Sequence, residues 1–117
     1  MFTYDKLEVY KLAFSFHQQI YRLIKANNDL DSYIKEHLGK SSLSIMLNIA
    51  EGNGKFSRRD RRILFTDARA SAFACHSLLN FVYQERAITV ESKTTLSLLL
   101  DEISKTLSNM IKNLVDE

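Results

Sequence analysis

Apolar residues recur along this chain at the spacing of helix faces. Taking each residue as a turn of about 100°, Leu7, Tyr10, Phe14, His17, Tyr21 and Ile24 form an unbroken stripe, and Val9, Ala13, Phe16, Ile20 and Leu23 form a second stripe beside it. The pattern predicts a first helix from about Asp5 to Ala26. Between them the stripes cover more than half the circumference and leave Glu8, Lys11, Ser15, Gln18, Arg22 and Lys25 on a narrow wet face. One bundle core does not demand so wide an apolar arc. Val9, Phe16, Ile20 and Leu23 are therefore expected at an interface between copies of the chain, with cover by a loop or simple exposure as the alternative.

Asn27 to Asp31 is a polar break rich in helix-capping residues, after which Ile34, Leu38, Ser41, Ile45, Asn48 and Gly52 trace one face of a second helix. Gly52 or Gly54 should end it. Ser57 followed three residues later by Asp60 resembles a capping box. From there Leu64, Ala68, Ser71, Cys75, Leu78 and Val82 carry a third helix to about Arg86, with small residues on its core face. Thr89 caps a fourth helix whose seam is Leu96, Leu99, Ile103, Leu107, Met110 and Leu114. Short connections imply antiparallel neighbours. The expectation is an all-α, antiparallel up-and-down four-helix bundle comprising residues 1–117 as one domain and assembled into a homo-oligomeric ring.

Composition agrees with this and narrows it. The chain has 117 residues, no proline and three glycines, which is one core's worth of chain and too little punctuation for many short strands. Its single cysteine, Cys75, has no partner for an internal disulfide. Asp5, Lys6 and Glu8 fall where a secretory signal would be apolar, so a reducing cytoplasm is expected. The longest apolar runs, such as Leu98 to Leu100, are far shorter than the roughly 20 residues of a membrane span. The formal net charge is only +2, but the positive charge is concentrated. Lys55, Arg58, Arg59, Arg61, Arg62 and Arg69 stand against only Asp60 and Asp67 in that stretch.

Two constellations invite a chemical reading. Ser44, Asn48 and Glu51 lie at i, i+4 and i+7, on one side of a helix beside its apolar stripe, and are expected to form a hydrogen-bonded polar seam. Glu51 should pair there with Arg69 or with the amides of a turn. The basic run at the start of the third helix suits phosphate contacts that position a nucleic-acid backbone without reading its sequence. Phe56 at its edge is read as a hydrophobic staple or a base-stacking ring. The alternative for the arginines is a solvated face, or salt bridges to Glu85, Glu91 or Asp101 of another subunit. Catalysis finds little support. Cys75 and His76 are adjacent and so point about 100° apart on a helix. His17, His37 and His76 sit on three helices without an E-x-x-H pair. No catalytic residue, metal or cofactor is expected, and His17 is read as a hydrogen-bonded core or interface histidine.

Leu7-Glu8-Val9-Tyr10-Lys11-Leu12-Ala13, Ser44-Ile45-Met46-Leu47-Asn48-Ile49-Ala50-Glu51-Gly52 and Ala68-Arg69-Ala70-Ser71 together resemble the motifs of a known family. It comprises the small four-helix-bundle proteins of intervening sequences in bacterial 23S ribosomal RNA genes, with a related branch among the accessory variability determinants of diversity-generating retroelements. The resemblance covers nearly the whole chain. It implies an up-and-down bundle and frequent assembly into a ring of five. In the retroelement branch it also implies a basic surface engaging nucleic acid and a protein partner such as a reverse transcriptase. Met46 and Leu47 replace the proline and serine of many relatives, Ala74 and His76 replace two glutamates, and Ala70 replaces the glycine of A-R-G-S. The expected function is thus a non-enzymatic, homo-oligomeric adaptor presenting a basic surface to RNA or DNA. The alternative is a purely structural protein–protein interaction module.

Overall fold

A computed structural model describes residues 2–114. After a short 3-10 turn over Tyr4–Lys6, four helices follow in order: α1 (Glu8–Ala26), α2 (Ser32–Asn53), α3 (Arg58–Gln84) and α4 (Val90–Asn113). Among the described residues there is no strand. Asn27 Nδ2 donates to Ala87 O at 2.7 Å, joining the α1–α2 and α3–α4 turns. At the opposite end, Asn53 Nδ2 reaches Thr3 Oγ1 at 3.0 Å and the Arg58 guanidinium donates to Asn113 O. These three bonds fix the antiparallel, up-and-down course of a bundle 47 × 26 × 22 Å in extent.

Side chains cap the N-termini of α3 and α4 but not those of α1 and α2. Ser57 Oγ accepts from Asp60 N at 3.0 Å, and Thr89 Oγ1 accepts from Ser92 N at 3.1 Å, each satisfying one of the otherwise unbonded first-turn amides. Gly54 closes α2, its amide donating to Ala50 O and Glu51 O. The third helix stops two residues short of the expected Arg86. Arg86 adopts a left-handed conformation, φ 62°, while its amide donates to Tyr83 O and that of Ala87 to Val82 O. This is the paired-bond helix stop usually built on glycine, here formed at the cost of placing a Cβ in the left-handed region.

The core is drawn from all four helices, and on α1 it is the reverse of the expected one. Val9, Ala13, Phe16 and Ile20 are buried inside the single chain, with Leu23 packed against them. The expected interface set is therefore the bundle core and presents nothing to another subunit. Phe14 is 44% exposed and Tyr21 52%, so the stripe assigned to the core lies at its rim and beyond. On α3 the buried set is Phe65, Ala68, Ala72, Cys75, Leu79 and Val82, turned by one residue at three positions from the expected face. The α4 seam stands, with Leu100 in place of Leu99 at full burial.

The most extensive helix contact is between α2 and α3. A Cβ added to Gly52 would lie 2.6 Å from Phe65 Cε1, closer than carbon atoms can approach. Glycine is required there because the Phe65 ring occupies the space a side chain would take. Ala68 and Ala72, both buried, keep the core face of α3 low.

Candidate nucleic-acid interface

The α2–α3 turn folds the chain back within four residues, Gly54 to Ser57, and so sets the basic start of α3 beside the C-terminal end of α4. The six cations of the expected patch do not all do the same thing there. Arg58 donates to Asn113 O and so caps the last turn of α4. Arg61 Nε donates to Lys55 O at 2.7 Å and clips the turn to the helix it leads into. Lys55 and Arg59 are exposed and Arg62 is half-buried. Among the described residues none of Lys55, Arg59, Arg61 and Arg62 has an ion pair; the pairs that form, Lys11–Glu8, Lys40–Glu36 and Lys105–Asp101, lie elsewhere. Phe56 does not staple the helix but stands fully exposed beside the patch.

This arrangement runs against the helix dipole. The first turns of a helix carry partial positive charge, and each cation placed there costs on the order of 0.3–1 kcal/mol. Arg58, Arg59, Arg61 and Arg62 all fall in the first two turns of α3, with only Asp60 to offset them in the first. The C-terminal ends of α2 and α4 lie at the same end and offset the α3 dipole, so it is the side-chain charge that favours an anion here.

Arg69 is apart from the fan. It lies further along α3 with its guanidinium carbon 4.7 Å from the centre of the Phe73 ring, and its Nε is covered without a hydrogen-bond acceptor among the described residues. The expected Glu51–Arg69 pair does not form: Glu51 is exposed at the end of α2.

The polar seam is real but differently composed. Asn48 Nδ2 donates to Ser44 Oγ at 2.9 Å and to Ser44 O at 3.0 Å, and Ser71 Oγ of α3 bonds Ser44 Oγ at 2.9 Å. Glu51 has no part in it. Ser71, placed by its spacing on the apolar face of α3, is the member that sequence reasoning missed. A second polar link joins α1 to α2, His17 Nδ1 meeting Ser42 Oγ at 2.7 Å. The Ser42 hydroxyl also reaches Gly39 O at 3.2 Å. Burial holds the His17 pKa below its usual value and pushes the Cys75 thiol up to about 12, so at neutral pH Cys75 is an un-ionised thiol and a poor nucleophile. Among the described residues no three His, Cys, Asp or Glu side chains gather as metal ligands, and no helix is long and apolar enough to cross a membrane.

The model of the 23S rRNA-intervening sequence protein family matches residues 5–109. The chain belongs to that family. A solved structure with the same fold is that of a protein with unknown function from the S23 ribosomal protein family of Bacteroides thetaiotaomicron. It is 25% identical, has a TM-score of 0.85, and the match covers 89% of this chain and 98% of that one. No relative was found among curated proteins. In this member of the 23S rRNA-intervening sequence proteins, the central motif has a structural explanation. Asn48 holds the seam, Ile49 is fully buried, and Gly52 receives the Phe65 ring.

Asn48→Ala removes the donor that holds Ser44 and is expected to destabilise the bundle by about 1–2 kcal/mol. Glu51→Ala, at an exposed site, should stay within about 0.5 kcal/mol of the parent. Chemical denaturation of the two variants checks the contrast.

Proposed function

We propose that this chain is a non-enzymatic, homo-oligomeric adaptor that holds nucleic acid against the basic end of its bundle. The observation that carries the reading is the cluster of cations at the start of α3, set against the helix dipole and, for Lys55, Arg59, Arg61 and Arg62, without ion pairs among the described residues. Arg58 and Arg61 have backbone partners, so Lys55, Arg59 and Arg62 are the cations whose placement the fold does not explain. A cluster of like charges in one stretch of chain suits a run of phosphates. Kinship with proteins encoded in ribosomal RNA genes points the same way.

Self-association supports this role, because copies of one patch held in a ring gain avidity that a single patch lacks. The surface for it is not the buried stripe of α1. Phe2, Tyr4, Tyr10 and Phe14 form a continuous row of ring contacts, at centroid separations of 6.1, 4.8 and 6.1 Å, and Tyr21 extends the same side of α1. Phe2, Phe14 and Tyr21 are the exposed members of this row, with Tyr4 and Tyr10 half-buried between them, and the exposed rings are suited to burial against a second copy. The family resemblance favours five copies, and exposed aromatics also suit the alternative reading as a structural module.

Light scattering is expected to give a mass several times that of one chain. Phe14→Glu should lower that mass while helicity is retained, whereas Phe16→Glu, in the core, should unfold the chain. A concentration-independent monomer contradicts the oligomer.

Binding should weaken linearly on a log–log plot against salt, with a slope of about −0.9 for each duplex phosphate neutralised. Arg59→Gln with Arg62→Gln should flatten that slope by about 0.9 for each phosphate that no longer meets a cation. The same change at Lys40 and Lys105, which pair with Glu36 and Asp101, should leave it alone. Equal effects of the two pairs would mean diffuse attraction, and no binding at low salt would leave the structural-module reading.

A further inference from the structure

The groove between α3 and α4 has features that the basic end alone does not explain. Phe73 is 57% exposed, yet it is built into a setting. Arg69 lies over its ring, and Phe73 forms the shared wall of two open cavities along the groove. One, of about 340 Å3, is bordered by Arg69, Ser108, Ile111 and Lys112. The other, of about 210 Å3, is bordered by His76, Ser97 and Asp101. Two polar atoms of these lining residues, Arg69 Nε and Ser97 Oγ, are covered by protein and have no hydrogen-bond partner among the described residues. An exposed ring beside a cavity lined by Arg69 and Lys112 points to a ligand that carries both a flat face and an anion.

The residue types state what that ligand is. An arginine over an aromatic ring has its face occupied and its edge donors directed outward, the geometry that grips an oxyanion with two bonds. Lys112 and the Ser108 hydroxyl border the same cavity and add a charge and a donor for a phosphate. The flat Arg69–Phe73 pair also offers a platform on which any base can stack. A phosphate site beside a stacking platform fits a strand whose bases are free to turn outward. A duplex presents its phosphates but keeps its bases stacked within, where a side-chain ring cannot meet their faces.

Resting on the reading of the basic end as a nucleic-acid surface, we propose that the α3–α4 groove around Phe73 is a site for a single nucleic-acid strand. A base stacks on the Arg69–Phe73 pair and the adjoining phosphate is held by Arg69, Ser108 and Lys112. Arg62, half-buried near the start of α3, continues the path toward the basic end, so strand binding starts at the fan and runs along the groove.

The test is fluorescence anisotropy with a labelled single-stranded oligonucleotide, its duplex, and orthophosphate as competitor, on the full chain. The expected result is tighter binding of the strand than of the duplex. Phe73→Leu, which keeps bulk but not a π face, and Arg69→Lys, which keeps charge but not the fork, should each weaken strand binding roughly fivefold or more. Duplex binding, helicity and oligomer mass should not change. Equal affinity for strand and duplex, or no effect of either substitution while Arg59→Gln still weakens binding, overturns the groove and leaves the basic end intact. Orthophosphate competing as well per phosphate as the strand does would make this a small-anion site and also overturn it. No binding of any nucleic acid at low salt removes both readings together.

Discussion

The close approach of α2 and α3 is the constraint on which the rest of this bundle depends. It exists because Gly52 has no side chain where the Phe65 ring sits, and Ala68 and Ala72 keep the core face of α3 low. Apolar burial supplies the drive for this contact but not its register, since one methyl-sized ridge fits many grooves. Register comes from the polar seam. The Ser71–Ser44 bond crosses between the two helices while Asn48 braces Ser44 from within α2, and a slip of either helix breaks that bond. The same contact determines where the turn after Gly54 releases the chain, and so where the arginines of α3 stand.

Satisfied and unsatisfied polar groups are thereby divided along the molecule. The seam and the His17–Ser42 link lie within the helix contacts, satisfied by protein atoms. The basic end and the α3–α4 groove contain the local arrangements that protein atoms leave incomplete among the described residues: cations against a dipole, a covered Arg69 Nε, a covered Ser97 Oγ. Two of the six basic residues nevertheless serve the fold as well, Arg58 capping α4 and Arg61 fastening Lys55. Substituting either would disturb structure and charge together, which makes Arg59, Arg62 and Arg69 the informative positions.

What was legible in the sequence follows from how local its cause is. The caps at Ser57 and Thr89 and the stop at Gly54 depend on a few adjacent residues, and they stand as expected. The stop at Arg86 was not legible, because a left-handed arginine has no sequence signal. Helix 1 shows a different failure. Its apolar arc is wide enough to hold two stripes, and periodicity gives the width of an arc without saying which part faces inward. Phe14 and Tyr21 complete a regular stripe as well as Phe16 and Ile20 do. Only the partners supplied by the other helices decide that the second set is the inner one. Glu51 was misplaced for a similar reason: spacing puts it near the side of Ser44 and Asn48, yet it is exposed while the adjacent Gly52 faces α3 and receives the Phe65 ring. The Arg69–Phe73 stack follows from an i, i+4 spacing that was present in the sequence; what gives it meaning is the neighbouring α4.

Amide hydrogen exchange with and without an excess of single-stranded oligonucleotide tests the central claim most directly, because it reads every segment of the chain at once. The account predicts slowed exchange at residues 54–73 and at the C-terminal turns of α4, with the seam residues 41–49 and the core of α1 unchanged. Protection centred on α1, or none at all under conditions where the strand is bound, would contradict it.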